Sequence, residues 1–222
     1  MLLVCETFAS IQGESTHAGR RCFFIRLAGC SHRCSYCDTA YAWTGGEALS
    51  VETLVDRAKR VGIPLVEVTG GEPMEQSETP MLCRKLLDAG FEVLLETNGA
   101  HDLGEIPQGV RRIIDCKTPS SGMAERHDFG NFERLRHDFG NFERLRDTDE
   151  IKFVVGSRGD FDYAVKVVSD YDLANKKCEL LISPVCGKVA LTDLAAWVME
   201  SELPLRMQLQ MHKIIWGDRR GV

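Results

Sequence analysis

No stretch of this chain is long and apolar enough to cross a bilayer, and its first residues, Met1-Leu2-Leu3-Val4-Cys5-Glu6, lack the basic n-region and long apolar core of a secretory signal. A cytoplasmic protein with no membrane partner is therefore expected. A basic patch is missing as well. The 27 Lys and Arg are scattered among 33 Asp and Glu for a net charge of -6, so no nucleic-acid partner is expected. The nine cysteines are odd in number and without the spacing of a disulfide framework, which reads as reduced thiols. Nothing in 222 residues at 44% hydrophobic content asks for a second core, so 1–222 is read as a single domain. What remains is chemistry on a small molecule.

What the chain does have is Gly29-Cys30-Ser31-His32-Arg33-Cys34-Ser35-Tyr36-Cys37-Asp38-Thr39, three cysteines on one loop with three and then two residues between them. Thiolates are soft ligands that select zinc, copper(I) or iron–sulfur clusters, and three of them leave one iron of a four-iron cluster open to chemistry. A structural zinc site needs four ligands, and the second Cys-x2-Cys pair that commonly completes one is missing; Cys22 or His32 remains as a fourth zinc ligand. Cys5, Cys22, Cys83, Cys116, Cys178 and Cys186 read as core residues.

Strands are expected at 4–8, 22–27, 64–68, 91–95, 112–115, 151–155, 179–183 and 205–211, with helices between them. Ser50 and Thr192 read as helix N-caps, and Gly62 and Gly90 as helix stops. This alternation implies an α/β fold with right-handed crossovers and a parallel sheet. The chain is short for a complete eight-fold barrel, so a partial, open parallel β/α barrel with about six core strands is expected. Its polar and glycine clusters fall just after strands, the functional rim of such folds. One segment interrupts the order: residues 127–136 recur unchanged as 137–146. On a helix, a ten-residue offset turns the second copy by roughly 280°, so the two copies would not share one apolar face. The expectation is one segment written twice.

Thr69-Gly70-Gly71-Glu72-Pro73, after an expected strand, offers backbone able to approach a ligand closely. With the Cys-x3-Cys-x2-Cys loop, whose last cysteine follows the aromatic Tyr36, it resembles the signature of radical S-adenosylmethionine enzymes. Phe8-Ala9-Ser10-Ile11-Gln12-Gly13-Glu14, Phe24-Ile25-Arg26-Leu27, Cys37-Asp38-Thr39 and Gln210-Met211-His212-Lys213 narrow the resemblance, over nearly the whole chain, to the 7-carboxy-7-deazaguanine synthase family. It departs from that pattern at Ser15, where glycine is common, and at the repeat.

The resemblance implies conversion of 6-carboxy-5,6,7,8-tetrahydropterin to 7-carboxy-7-deazaguanine with loss of ammonia, on the route to queuosine and related deazapurines. It implies a [4Fe–4S] cluster on Cys30, Cys34 and Cys37, S-adenosylmethionine, and magnesium on Thr39, in a homodimer served by an unidentified electron donor. Cofactor contacts are expected from Tyr36, Gly70, Gly71, Glu72, Glu96, Asn98, Lys117 and Ser120. Substrate contacts are expected from Gln12, Glu14, Arg26, Thr69, Gln210 and His212. The residues agree with this assignment: a carboxylate such as Glu14 accepts two N–H bonds from an amino-pyrimidinone edge, and Arg26, opposite in phase to Ile25 and Leu27, offers a fork for a carboxylate. Two alternatives stand beside it: a glycyl-radical-enzyme activating enzyme acting on a protein partner, and a non-enzymatic zinc-binding module.

Overall fold

The computed structural model describes residues 1–124 and 139–222, to which every structural statement refers. Strands Leu2–Ile11 (β1), Arg21–Leu27 (β2), Glu47–Leu49 (β3), Leu65–Gly70 (β4), Glu92–Thr97 (β5), Arg111–Asp115 (β6), Glu150–Val155 (β7), Glu179–Pro184 (β8) and Leu205–Met207 (β9) form one open sheet. Its spatial order is β3-β1-β2-β4-β5-β6-β7-β8-β9. From β2 through β9 every pairing is parallel.

The expected parallel sheet carries an antiparallel edge, where β1 pairs with both β2 and β3. The link from β1 to β2 is too short for a crossover. It closes instead as a hairpin, with Gln12 N–H donating to the Arg20 carbonyl and Gly19 N–H to that of Gln12, both at 2.8 Å. The three-residue β3 carries no alternation long enough to signal a strand.

Among the described residues the helices are Val51–Val61 (α1), Thr79–Asp88 (α2), Arg158–Asp170 (α3), Leu191–Glu200 (α4) and Met211–Trp216 (α5). Ser50 caps α1 by accepting from Thr53 N–H, and Gly62 ends it at φ 67°, a conformation that favours glycine. Ser157 caps α3 in the same way. Thr192 is not the cap of α4: that helix starts one residue earlier, with Ala190 at the N-cap and its carbonyl accepting from Leu194 N–H. The strand expected over 205–211 stops at Met207, and His212 lies in the first turn of α5.

Period-2 alternation gives the two faces of the sheet opposite chemistry. Phe23, Ile25, Leu27, Val66, Val68, Val93, Leu95, Ile151 and Phe153 pack with α1, α2, α3 and Leu194 of α4 in the main core. Each fully buried aliphatic there contributes about 1.5–3 kcal/mol. On the other face, Cys22, Phe24, Leu65, Leu94 and Ile113 form a small apolar floor. Two residues further along the same strands, that face turns polar with Arg26, Glu67, Glu96 and Asp115. Lys152 joins this layer through its register with Asp115.

The first copy of the repeat and the start of the second lie outside the described residues. The described remainder of the second copy packs tightly. Asn141 and Phe142 are buried, and the Asn141 carboxamide bridges the carbonyls of Gly99 and His101 and the N–H of Leu103.

Candidate active site

The polar layer opens at the C-terminal ends of the parallel strands into a cavity of about 620 Å³. Cys30, Cys34 and Cys37 line it together, on the loop leaving β2. That loop is held from several sides. Gly29 N–H donates to the Ala42 carbonyl at 2.8 Å, Ser35 Oγ to the Ser120 carbonyl at 2.7 Å, and Ser31 N–H to Glu75 Oε1 at 2.6 Å. The turn after β4 lies directly against it, since Gly71 N–H donates to Leu27 and Glu72 N–H to Gly29. A Cβ on Gly71 would run into the Gly29 carbonyl and the Cys30 side chain, which is the local reason for glycine there.

Burial pushes the Cys30 thiol up to about 12 and raises that of Cys34. Among the described residues no three His, Cys, Asp or Glu side chains are set to share a single ion. A four-iron cluster makes no such demand, because each thiolate takes an iron of its own. Asp115 lines the same cavity, and its Oδ1 is a buried acceptor without a protein partner. Three thiols on one loop, close backbone and a free acceptor fit a cluster with a bound cofactor.

Of the cofactor residues expected from sequence, Tyr36, Gly70, Gly71, Glu96, Asn98 and Lys117 line the cavity. Tyr36 reaches across it, its hydroxyl donating to the Val154 carbonyl at 3.2 Å. Lys117 Nζ donates to Asp115 Oδ2 at 2.7 Å. Asn98 meets His32 through its amide nitrogen and accepts from Ala100 N–H. Glu72 and Ser120 lie outside the cavity lining. Glu72 is fully buried and its carboxylate accepts from Thr97 Oγ1, Asn98 N–H and Met74 N–H at 2.6–2.9 Å. It ties the loop after β4 to the loop after β5. Burial raises its carboxyl to about 7 against those three hydrogen bonds. Ser120 is exposed, its N–H held by Asp160.

All the expected substrate residues line the cavity: Gln12, Glu14, Arg26, Thr69, Gln210 and His212. The Gln12 carboxamide is nevertheless engaged within the protein, donating to Glu67 and accepting from Glu14 N–H. Glu14 Oε1 accepts from Gln210 Nε2 at 3.0 Å and its Oε2 from Lys152 Nζ at 2.7 Å. Arg26 spends Nε on Glu6 at 2.9 Å, while its Nη atoms form no hydrogen bond among the described residues. His212 reaches the site because Gly13 leaves room: a Cβ there would strike the imidazole. Met211 N–H fixes the approach by donating to the Gly13 carbonyl at 2.9 Å. His212 Nε2 lies 3.6 Å from Asp38 Oδ2, and Thr39 Oγ1 donates to Asp38 Oδ1 at 2.7 Å. Ser15 sits at φ 63°, which gives the physical reason that glycine suits this position.

A model of the Radical SAM superfamily matches residues 24–123. The 7-carboxy-7-deazaguanine synthase of Chlorobaculum tepidum is 42% identical over 222 residues, covering 100% of this chain and 97% of its own. The chain belongs to the 7-carboxy-7-deazaguanine synthase family. The synthase of Methanospirillum hungatei is 39% identical over 216 residues, covering 96% of this chain and 84% of its own. The crystal structure of QueE from Escherichia coli shares the fold at a TM-score of 0.73, with 23% identity and 93% of each chain covered. As a radical S-adenosylmethionine enzyme of the 7-carboxy-7-deazaguanine synthase family, the chain works with a [4Fe–4S] cluster and S-adenosylmethionine.

Sequence reasoning missed charged residues that line the cavity, among them Glu67, Asp115 and Lys152. Glu67 and Lys152 are charged residues inside strands otherwise apolar, Leu65-Val66-Glu67-Val68 and Ile151-Lys152-Phe153-Val154, and the phase argument applied to Arg26 would have found both. Glu6, which pairs with Arg26 and accepts from Tyr41 Oη at 2.8 Å, gives no such signal on its partly exposed strand.

Proposed function

We propose that the chain converts 6-carboxy-5,6,7,8-tetrahydropterin to 7-carboxy-7-deazaguanine with loss of ammonia, as a single domain spanning 1–222. The observation that carries the substrate assignment is one cavity holding three thiols of the cysteine loop together with Gln12, Glu14, Arg26 and His212. A peptide-activating enzyme has no use for that last set, and a zinc module has no use for the cavity. Cys30, Cys34 and Cys37 would hold the cluster, and Tyr36, Gly70, Gly71, Glu96, Asn98 and Lys117 would contact S-adenosylmethionine. When bound and reduced, this pair supplies a 5′-deoxyadenosyl radical that removes one substrate hydrogen atom. The chain's own residues bind, orient and shield. Glu14, aided by Gln12, Gln210 and Thr69, accepts the N–H edge of the pterin, and His212 closes the other side. The same reading takes the enzyme to be a cytoplasmic homodimer fed by a separate electron donor. Among the described residues no helix is long and apolar enough to cross a membrane.

Anaerobic reconstitution with iron and sulfide assays, followed by incubation with the carboxytetrahydropterin, tests the reading. A [4Fe–4S] cluster per chain with turnover supports it; one zinc per chain and no turnover opposes it.

Arg26 is assigned to the substrate carboxylate through the guanidinium edge that Glu6 leaves free. Hydrogen bonds to charged groups contribute about 1.5–3 kcal/mol, so Arg26→Ala should raise KM by roughly one to two decades while cluster content stays at the parent level. A parental KM would remove Arg26 from the site. Thr39 is assigned to magnesium. Its hydroxyl donates its proton to Asp38 and keeps its lone pairs for a hard cation that takes few protein ligands. Thr39→Ala should abolish magnesium stimulation of turnover and leave S-adenosylmethionine binding unchanged; a parental magnesium response would place the ion elsewhere.

A further inference from the structure

Lys152 lies in the middle of β7, a strand buried along its whole length, with its side chain 4% exposed. An ammonium so placed needs compensation, and carboxylates on three other elements provide it. Glu14 Oε2, from the loop after β1, accepts from its Nζ at 2.7 Å; Glu96 of β5 accepts a second hydrogen bond; and Asp115 of β6 stands 3.7 Å away. Lys117 holds the far side of the cluster by its bond to Asp115, while Gln210 and His212 face Glu14 from the C-terminal segment.

We propose that Lys152 is a positioning residue for substrate recognition: its ammonium joins Glu14 at the pterin end of the cavity to Glu96 at the cofactor end, and so keeps Glu14 an aimed, ionised acceptor. The proposal rests on the pterin reading above and specifies how the acceptor is kept competent. A neutral carboxylic acid would present one donor where the pterin edge presents donors of its own, so the proton state of Glu14 decides whether the edge is recognised.

The electrostatics of the cluster agree with that geometry. Burial alone would raise the Glu14 carboxyl, but the Lys152 ammonium, with smaller help from His212 and Gln210, holds it below the ordinary carboxylate range. Burial would likewise lower Lys152, and Glu14, Glu96 and Asp115 outweigh it to keep the amine charged. Glu67 is the counter-example on the same face. Burial and the nearby Glu96 push its carboxyl well up, favouring the neutral form, and it accepts from the Gln12 amide. The sign follows directly. A depressed carboxyl is competent above its depressed value and loses competence as pH falls through it. Removing Lys152 leaves burial opposed only by the weaker effects of His212 and Gln210 and moves that limb upward.

The test is calorimetric titration of the carboxytetrahydropterin into anaerobically reconstituted protein carrying S-adenosylmethionine, without reductant, between about pH 6 and 8. If the parent protein does not bind the pterin, the functional reading itself falls and takes this proposal with it. If the parent binds, Lys152→Met should weaken affinity by roughly tenfold or more at about pH 7.5, with the deficit growing as pH is lowered. Glu14→Gln should weaken it as well, and the double variant should be no worse than the weaker-binding single. Cluster content should match the parent in all three. A Lys152→Met protein that binds within about twofold of the parent, or a deficit that does not change with pH, would overturn the proposal. If Lys152→Met does not take up its cluster, Lys152→Arg replaces it. Its penalty should vanish in the Glu14→Gln background, and an equal penalty in both backgrounds would overturn the proposal.

Discussion

Cys34→Ala is expected to abolish turnover and cluster retention together, with Cys30→Ala and Cys37→Ala doing the same. Cys34 is buried at 8% exposure, so the substitution removes one sulfur from a small site and should cost the apoprotein only about 1 kcal/mol of stability. The loop keeps its shape without that sulfur because its anchors are elsewhere: Gly29 on Ala42, Ser35 on Ser120, and Gly71 and Glu72 on Leu27 and Gly29. The loss is therefore chemical, not conformational. Two thiolates cannot retain the three irons that the proposed ligand set assigns to the loop. Iron and sulfide content after anaerobic reconstitution, read beside the thermal melt of the apoprotein, checks this. A variant that keeps its cluster and full activity would show the ligand set to be misassigned.

The largest effect on stability is expected at Asp149→Ala, outside the active site. Arg112 and Asp149 are 1% and 0% exposed, with Arg112 Nε donating to Asp149 Oδ1 at 3.0 Å and Nη2 to Oδ2. The guanidinium also donates to the carbonyls of Leu103 and Arg144, and Asp149 Oδ2 accepts from Arg146 N–H at 2.7 Å. This one pair thus pins β6 to the loop after β5 and to the second copy of the ten-residue repeat. Removing the carboxylate strands a fully buried cation, which typically costs about 3–5 kcal/mol. Chemical denaturation of the apoprotein should show the midpoint falling with the slope unchanged. A loss below about 1 kcal/mol would mean that water or a shift of Arg112 relieves the charge.

The same pair shows where the sequence was readable and where it was not. The helix over 51–61 announces itself by Ser50, its apolar spacing and Gly62, all local signals, and the parallel strands by apolar runs ended by glycine or polar residues. Cys30, Cys34 and Cys37 are equally local. Arg112, Lys152 and Glu67 depend on side-chain partners from 37 to 138 positions away, and only their place inside apolar strands hints at burial. The antiparallel β1 was hidden because a hairpin and a crossover differ in the link, not in the strand. Glu72 follows the glycine turn in sequence, but two of its three hydrogen-bond donors, Thr97 and Asn98, come from β5 and the loop after it, with Met74 the third. Alternation over 205–211 extends past the real strand: the ladder ends at Met207, with Gln208 N–H bonding the Ile182 carbonyl, before α5 begins.

The measurement closest to the central claim is mass spectrometry of the products formed by the reconstituted protein from 6-carboxy-5,6,7,8-tetrahydropterin, S-adenosylmethionine, magnesium and a chemical reductant under anaerobic conditions. The account expects 7-carboxy-7-deazaguanine and ammonia in equal amounts, dependent on S-adenosylmethionine, absent from the Cys34→Ala protein, and formed with far less than one 5′-deoxyadenosine per product. Unchanged pterin beside steady release of 5′-deoxyadenosine from a fully loaded enzyme would contradict it.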